Sequence, residues 1–172
     1  MKELAENYLL YVGNFYPHKN LKRLVLAFEK IIQETNSDYS LVLVGGNNYS
    51  EKDKIIITGY VDDNRLNNLY RSANLYVFPS LYEGFGLPAL EAMKRGVAVV
   101  SSNASCLPEV LGNAAMYFNP CDVDDMAEKI KKVLFDKDLK NNLIKRGFER
   151  LKNYDWRKTA EETLVCYENI PQ

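Results

Sequence analysis

The 172-residue chain carries 22 basic and 23 acidic residues, 47% hydrophobic positions and a formal charge of −1. That composition excludes a disordered tail and gives enough length for a real core. It leaves no overall basic field to attract nucleic acid or an anionic membrane.

Apolar runs alternate with helical patterns along most of the chain. "YLLYVG" (8–13) reads as a buried strand. Leu21, Leu24, Val25, Phe28, Ile31 and Ile32 then recur at helical spacing, with Asn20 as candidate N-cap. "YSLVLVGG" (39–46) and "KIIITGY" (54–60) are two more strands. The helical "DDNRLNNLYRSA" (62–73), capped by Asp62 or Asp63, leads to the strand "NLYVFPS" (74–80). A helix over "LPALEAMKRG" stops at Gly96. The strand "VAVVSS" (97–102), the short helix "SCLPEVLG" (105–112) and the strand "AAMYFNP" (114–120) follow. Helices near 122–136, 138–152 and 155–168 complete the chain, and "EKIKKVLF" (128–135) reads as a solvated amphipathic face.

About six strands alternating with helices predict an α/β fold: a Rossmann-like, open, mostly parallel sheet with helices on both faces. One connection breaks the rhythm. The eight residues "NNYSEKDK" (47–54) are too few for a crossover with a proper helix.

Cys106, Cys121 and Cys166 are scattered, and His18 is the only histidine, which argues against a disulfide framework and a structural zinc site. "MKELAENYLL" lacks a basic region followed by an apolar run, and no stretch is long enough to span a membrane. The default expectation is a cytoplasmic protein, with any membrane contact peripheral and at the inner face.

In such a sheet, ligands bind beyond the carboxyl ends of the strands. Two loops qualify, "GNFYPHKN" (13–20) and "YEGFGLP" (82–88). Gly84 and Gly86 let backbone amides approach a ligand, and Pro88 suits a first helical turn. Unpaired amides at a helix N-terminus attract phosphate, and Lys19 stands ready to add an ammonium. The bland alternatives are an ordinary strand-to-helix turn and two solvated glutamates. "GFGLPA" (84–89) also fits a dinucleotide-binding fingerprint. That fingerprint wants an acid at the end of the next strand, which here ends "VVSSNAS" (99–105). Glu83 would moreover repel a pyrophosphate on its own loop. The carboxylates suit hydroxyl groups better: Glu91, a turn inside the helix, could accept from a ribose diol, and Glu83 from a sugar beyond the phosphates. A phosphate between a ribose and a sugar describes a nucleotide sugar.

With "YVGNFYPHKNL" (11–21), "LVLVGG" (41–46), "TGYVDDNRLNNLYRSANLYVFPSLYEGFGLPALEAM" (58–93) and "LPEVLGNAAMYFNPCDVDDMAEKI" (107–130), the chain resembles the C-terminal, nucleotide-sugar-binding half of retaining "group 1" glycosyltransferases of the GT-B fold. The E-x7-E spacing from Glu83 to Glu91 is the most specific element. The resemblance implies a donor diphosphate held by the amides of Gly84, Phe85, Gly86 and Leu87. It also implies roles for Lys19 and for the first loop at Gly13, Asn14 and His18. Glu91 would bind the ribose and Glu83 the donor sugar, and Tyr60 and Val61 would border the base. Lys19 and Glu83 are then the residues expected to serve catalysis. No cofactor or metal is expected; the donor is a nucleotide-diphosphate sugar, and the acceptor a glycan or lipid-linked molecule. The opening is most similar to mannosyltransferases of surface-polysaccharide assembly, which makes GDP-mannose the first donor to test.

The chain departs from that pattern at Asn14, where many relatives carry arginine, so that Lys19, helped by His18, would stabilise the leaving group. It departs again in the short 47–54 connection. A complete enzyme of this kind has two domains. Residues 1–172 are therefore expected to form a single donor-nucleotide-binding domain, with the helices over about 138–170 packing on it. The N-terminal acceptor domain is expected to be absent, and the domain alone to transfer nothing. A nucleotide-sugar epimerase or isomerase domain of the same fold, and a non-catalytic nucleotide-sugar-binding module, are the alternatives.

Overall fold

The computed structural model describes residues 6–46 and 52–170. Six strands, β1 (Tyr8–Val12), β2 (Ser40–Val44), β3 (Ile55–Gly59), β4 (Leu75–Phe78), β5 (Val99–Ser102) and β6 (Ala115–Phe118), form one sheet in the order β3-β2-β1-β4-β5-β6. Every strand pair is parallel. The strands read as near-continuous apolar runs because both faces of the sheet are covered. Successive residues take opposite sides. Leu9, Tyr11, Leu41, Leu43, Leu75 and Val77 pack in the core that includes α1 (Leu21–Thr35) and α5 (Val123–Phe135). Tyr8, Leu10, Val42, Val44, Tyr76 and Phe78 pack in the opposite core, with α2 (Asp63–Ser72), α3 (Leu87–Lys94) and α4 (Leu107–Leu111). Each such aliphatic or aromatic side chain, fully withdrawn from water, contributes about 1.5–3 kcal/mol.

The helix boundaries follow local chemistry. Asp62 caps α2 by accepting from the Arg65 amide at 2.8 Å. Asp122 accepts from the Asp124 and Asp125 amides at the start of α5. Asn20 corrects a sequence expectation. It stands at the N-cap position of α1, but its side chain caps nothing and its backbone is left-handed, φ 60°. Its amide group instead crosses the fold, as described below.

β3 pairs with β2 in parallel, Leu41 against Ile55 and Val42 against Ile56. The return runs through residues 45–54, of which 47–51 lie outside the described residues. Ten residues reach up to about 33–36 Å when extended, ample to travel back along a five-residue strand. A crossover helix is not needed for parallel pairing here.

α6 (Lys137–Leu151) lies against α3 and the turn at Gly112–Ala114, with Leu143 buried. α7 (Trp156–Glu168) differs from the expected packing of residues 138–170, because none of its residues is buried. Its apolar positions, Trp156, Leu164, Val165 and Tyr167, face outward. A helix packs only where an apolar stripe meets another apolar surface, and no such surface covers α7 among the described residues. No helix among them is long and apolar enough to cross a membrane.

Candidate functional site

The sheet order places the topological switch between β1 and β4, since the chain winds outward from β1 to β2 on one side and from β4 to β5 on the other. The loop after β1 and the loop after β4 therefore share one crevice. The Leu81 amide donates to the His18 carbonyl at 2.8 Å and fastens the two loops together. Directly beside that tie, Lys19 Nζ lies 2.6 Å from Glu83 Oε1. Ser80 Oγ donates to the same oxygen at 2.7 Å. The lysine and glutamate side chains are only 14% and 12% exposed, so the pair is largely withdrawn from solvent.

Asn20 holds the frame around this pair. Its Nδ2 donates to the Pro79 carbonyl at 3.0 Å and the Pro120 carbonyl at 2.7 Å, joining the exits of β4 and β6 to the start of α1. The Arg23 guanidinium donates to its Oδ1 at 3.0 Å. Sequence reasoning took this residue for a cap. It also passed over Ser80, whose signal was only its place directly after a strand, three residues before Glu83.

The β4 loop turns into α3 at Gly86. Its φ of +104° suits glycine, and a Cβ there would sit 2.9 Å from Leu107 Cδ2. Among the described residues, the amides of Gly84, Phe85, Gly86 and Leu87 donate to no protein acceptor. Gly86 is the N-cap and Leu87 the first residue of α3, and unpaired N–H groups at the positive end of a helix suit an anion. Gly84 has open space where a side chain would stand. Phe85 is partly exposed, with its ring edge-on to Tyr154. Ser105 Oγ and Cys106 Sγ both donate to the Glu83 carbonyl, at 2.8 and 3.3 Å, and hold the loop from the β5 side.

Glu91 is exposed one turn into α3. Beneath the crevice lie buried phenols that register both carboxylates. The Tyr76 hydroxyl is pushed well above the ordinary phenol range, first by burial and also by the charges of Glu83 and Glu91. Burial raises Tyr70 as well, with Glu91 the next cause, and burial plus Glu83 raises Tyr11. These phenols stay neutral donors: Tyr11 donates to the Asn14 carbonyl at 2.7 Å and Tyr70 to the Pro88 carbonyl at 3.3 Å. The two glutamates thus act electrostatically on one patch of the sheet's carboxyl edge.

The remaining sequence candidates stand around this centre. Gly13 leaves β1 with its amide on the Val44 carbonyl. Neighbouring Gly45 comes so close that a Cβ there would lie 2.6 Å from the Gly13 oxygen. Asn14 is exposed, and its side chain accepts from the Tyr16 amide at 3.3 Å, so it shapes the loop and brings no charge. The His18 side chain is exposed beside the Tyr16 ring; only its carbonyl enters the loop-to-loop tie. Tyr60 and Val61 follow β3 on the same edge of the sheet. Tyr60 is 89% exposed, whereas the Val61 side chain belongs to the core and leaves only its backbone for a ligand. The structure therefore brings Lys19 and Glu83 together, directly before the β4-loop amides in the chain, and leaves the side chains of Asn14, His18 and Tyr60 exposed.

Comparison with known proteins places the chain in a family and its fold. "O-antigen chain mannosyltransferase B" of Escherichia coli is 36% identical, over 94% of this chain and 46% of that protein. "Serotype-specific mannosyltransferase WbdA" of the same species is 33% identical, over 98% of this chain and 22% of that protein. The chain thus spans less than half the length of these curated relatives. Among solved structures, a sucrose-phosphate synthase from Thermosynechococcus elongatus superposes with a TM-score of 0.82 at 28% identity, covering 96% of this chain and 46% of the other. The C-terminal domain of a glycosyl transferase group 1 family protein from Francisella tularensis shares the fold. Its TM-score is 0.72 at 22% identity, over 86% of this chain and 84% of that one. The fold is that of the C-terminal half of GT-B enzymes. Residues 2–150 match the family described as "Glycosyl transferases group 1", and the chain belongs to that family.

Proposed function

We propose that this chain is the donor-binding half of a retaining glycosyltransferase. It serves the transfer of a hexose, mannose first, from a nucleotide-diphosphate sugar to a glycan or lipid-linked acceptor. The observation that carries the reading is the closed contact of Lys19 with Glu83, the residue that directly precedes the free amides of Gly84–Leu87, at the β1/β4 switch point. The mannose assignment rests on the relatives being mannosyltransferases by name.

In this reading the donor diphosphate lies on the α3 N-terminus and meets Lys19, Glu91 accepts from the ribose, and Glu83 accepts from sugar hydroxyls. Tyr60 and the Val61 backbone border the base. When the glycosidic bond opens through an oxocarbenium-like transition state, negative charge grows on the departing diphosphate. Fixed amides and an ammonium, already aimed there, stabilise that charge without reorganising. Lys19 and the helix end do the charge work, and the proposal includes neither metal nor cofactor. Acceptor contacts and exclusion of water belong to a second, N-terminal domain, so residues 1–172 alone, as one domain, bind nucleotide and transfer nothing. We place the protein on the cytoplasmic side, with any membrane contact peripheral.

Calorimetric titration with UDP, GDP, ADP and their sugar conjugates, repeated with Glu91→Ala, tests this. Saturable binding of one nucleotide is expected. The substitution should weaken it by about tenfold, the worth of a charge-assisted hydrogen bond to the ribose. Failure of every nucleotide to bind up to millimolar concentration would overturn the donor-half reading.

A further inference from the structure

We propose that the Lys19–Glu83 pair discriminates an intact nucleotide sugar from the spent nucleoside diphosphate, with Glu83 disfavouring the product. The inference rests on the donor-site reading and goes beyond it, because there Glu83 only receives the sugar.

The pair is closed and anchored. Glu83 Oε1 accepts from Lys19 Nζ at 2.6 Å and from Ser80 Oγ at 2.7 Å. Its main chain is held by Ser105 and Cys106. Lys19 ends a 3-10 turn locked by the next residue, Asn20, whose amide bridges two strand exits. Neither partner has an easy alternative place. An anion settling on the α3 amides therefore meets an ammonium that a fixed carboxylate already neutralises.

Two ligands experience that carboxylate differently. In a nucleotide sugar each phosphate is linked on both sides, by one ester and the shared anhydride, and carries one charge, and the sugar supplies hydroxyls that donate to a carboxylate. A free nucleoside diphosphate ends in a terminal phosphate whose second ionisation, near pH 6 for such groups, adds charge and offers no donor at neutral pH. At close range, in a site mostly withdrawn from water, like charges repel far more than in bulk solvent. Glu83 thus favours the sugar-bearing ligand, and Lys19 can stabilise charge growing in the transition state while holding the product less tightly than it otherwise would. Ser80 keeps the carboxylate turned toward Lys19 and is the positioning residue of the pair.

The test is calorimetric titration of this chain with GDP and GDP-mannose, UDP and UDP-glucose, and ADP and ADP-glucose. Wild type, Glu83→Gln and Ser80→Ala are compared, with circular dichroism to establish that each is folded. Glutamine keeps the shape and removes the charge. Glu83→Gln is expected to bind the nucleoside diphosphate about tenfold more tightly than wild type and to lose most of the relative preference for the sugar conjugate. Ser80→Ala should move the same ratio in the same direction by a smaller factor. The wild-type preference for the sugar conjugate should also rise from pH 6 to pH 8 as the terminal phosphate ionises, and should fall in Glu83→Gln, where the added charge meets an unopposed Lys19. A folded Glu83→Gln that binds nucleoside diphosphate no more tightly than wild type would overturn the proposal while leaving the donor site intact. If no variant binds any nucleotide, the donor-site reading falls and the proposal with it.

Discussion

The lysine–carboxylate contacts at the switch point and those across α1 and α5 belong to different physical regimes. At the switch point, Lys19 and Glu83 meet at 2.6 Å with side chains 14% and 12% exposed. Across α1 and α5, Lys30 meets Asp124 at 2.8 Å with side chains 40% and 78% exposed, and Lys131 meets Glu34 beside them. The separations are similar, so distance does not distinguish the pairs. Burial and anchoring do. Water and salt screen the α1–α5 lattice, and its long side chains lose entropy when held, which leaves little net gain. The switch-point pair is largely withdrawn from solvent, and the surrounding hydrogen bonds fix its geometry. A pair of that kind is weak evidence for stability in itself, but breaking one half leaves the other uncompensated. The comparison separates solvated surface charges from a pair that is largely withdrawn from water and fixed in place.

The sharpest way to challenge that contrast is to remove the frame. Asn20→Ala strips the donor from two buried carbonyls, at Pro79 and Pro120, and puts alanine at φ 60°. A loss of about 4 kcal/mol is expected, from two unsatisfied acceptors and a left-handed backbone. Asn20→Gly keeps the backbone comfortable and should recover about 1 kcal/mol of it. Urea unfolding of the three proteins measures both steps. A loss below 1 kcal/mol for Asn20→Ala would mean that the strand exits are held by something else.

A smaller effect is expected from the pair itself. Lys19→Met preserves the aliphatic stem and removes the charge, leaving Glu83 with Ser80 as its remaining side-chain donor. The expected loss is about 1–2 kcal/mol, limited because water can reach the crevice, together with loss of nucleoside diphosphate binding. A variant that keeps full affinity would detach Lys19 from the anion site and reduce the pair to a structural contact.

How much of this was legible in the sequence varied with the range of the interaction. The six strands were legible because short apolar runs bounded by turn residues have few other uses; "KIIITGY" (54–60) overran β3 (Ile55–Gly59) by one residue at each end. Gly86 and Pro88 announced the start of α3 through backbone conformation alone. Asn20 did not announce its role, since an asparagine before a helix looks the same whether it caps locally or bridges to Pro79 and Pro120, 59 and 100 residues away. The positions of Lys19 and Glu83 were readable, but their contact, 64 residues apart, was not. For α7 the apolar positions were readable, and what they would face was not. Local chemistry writes elements into the sequence; the partners across the sheet emerge only from the folded chain.

The α1–α5 lattice supplies the smallest expected effect and the control on the rest. The Glu34 carboxyl is held below its ordinary value, chiefly by the hydrogen bond from Lys131, with Lys30 adding attraction. A depressed carboxylate pKa contributes whatever stability it has above the unfolded-state value and loses it as pH falls through the folded one, so the contribution is complete at neutral pH. Lys131→Met should move the Glu34 titration midpoint upward, which carboxyl NMR would follow between pH 3 and 6. At physiological salt it should leave the thermal midpoint within error, because both groups remain in solvent and are screened. If Lys131→Met instead lowered the midpoint as far as Lys19→Met does, exposure would not be what separates the two regions. The case for reading the switch-point pair as a ligand site would then rest on its position at the carboxyl edge of the sheet alone.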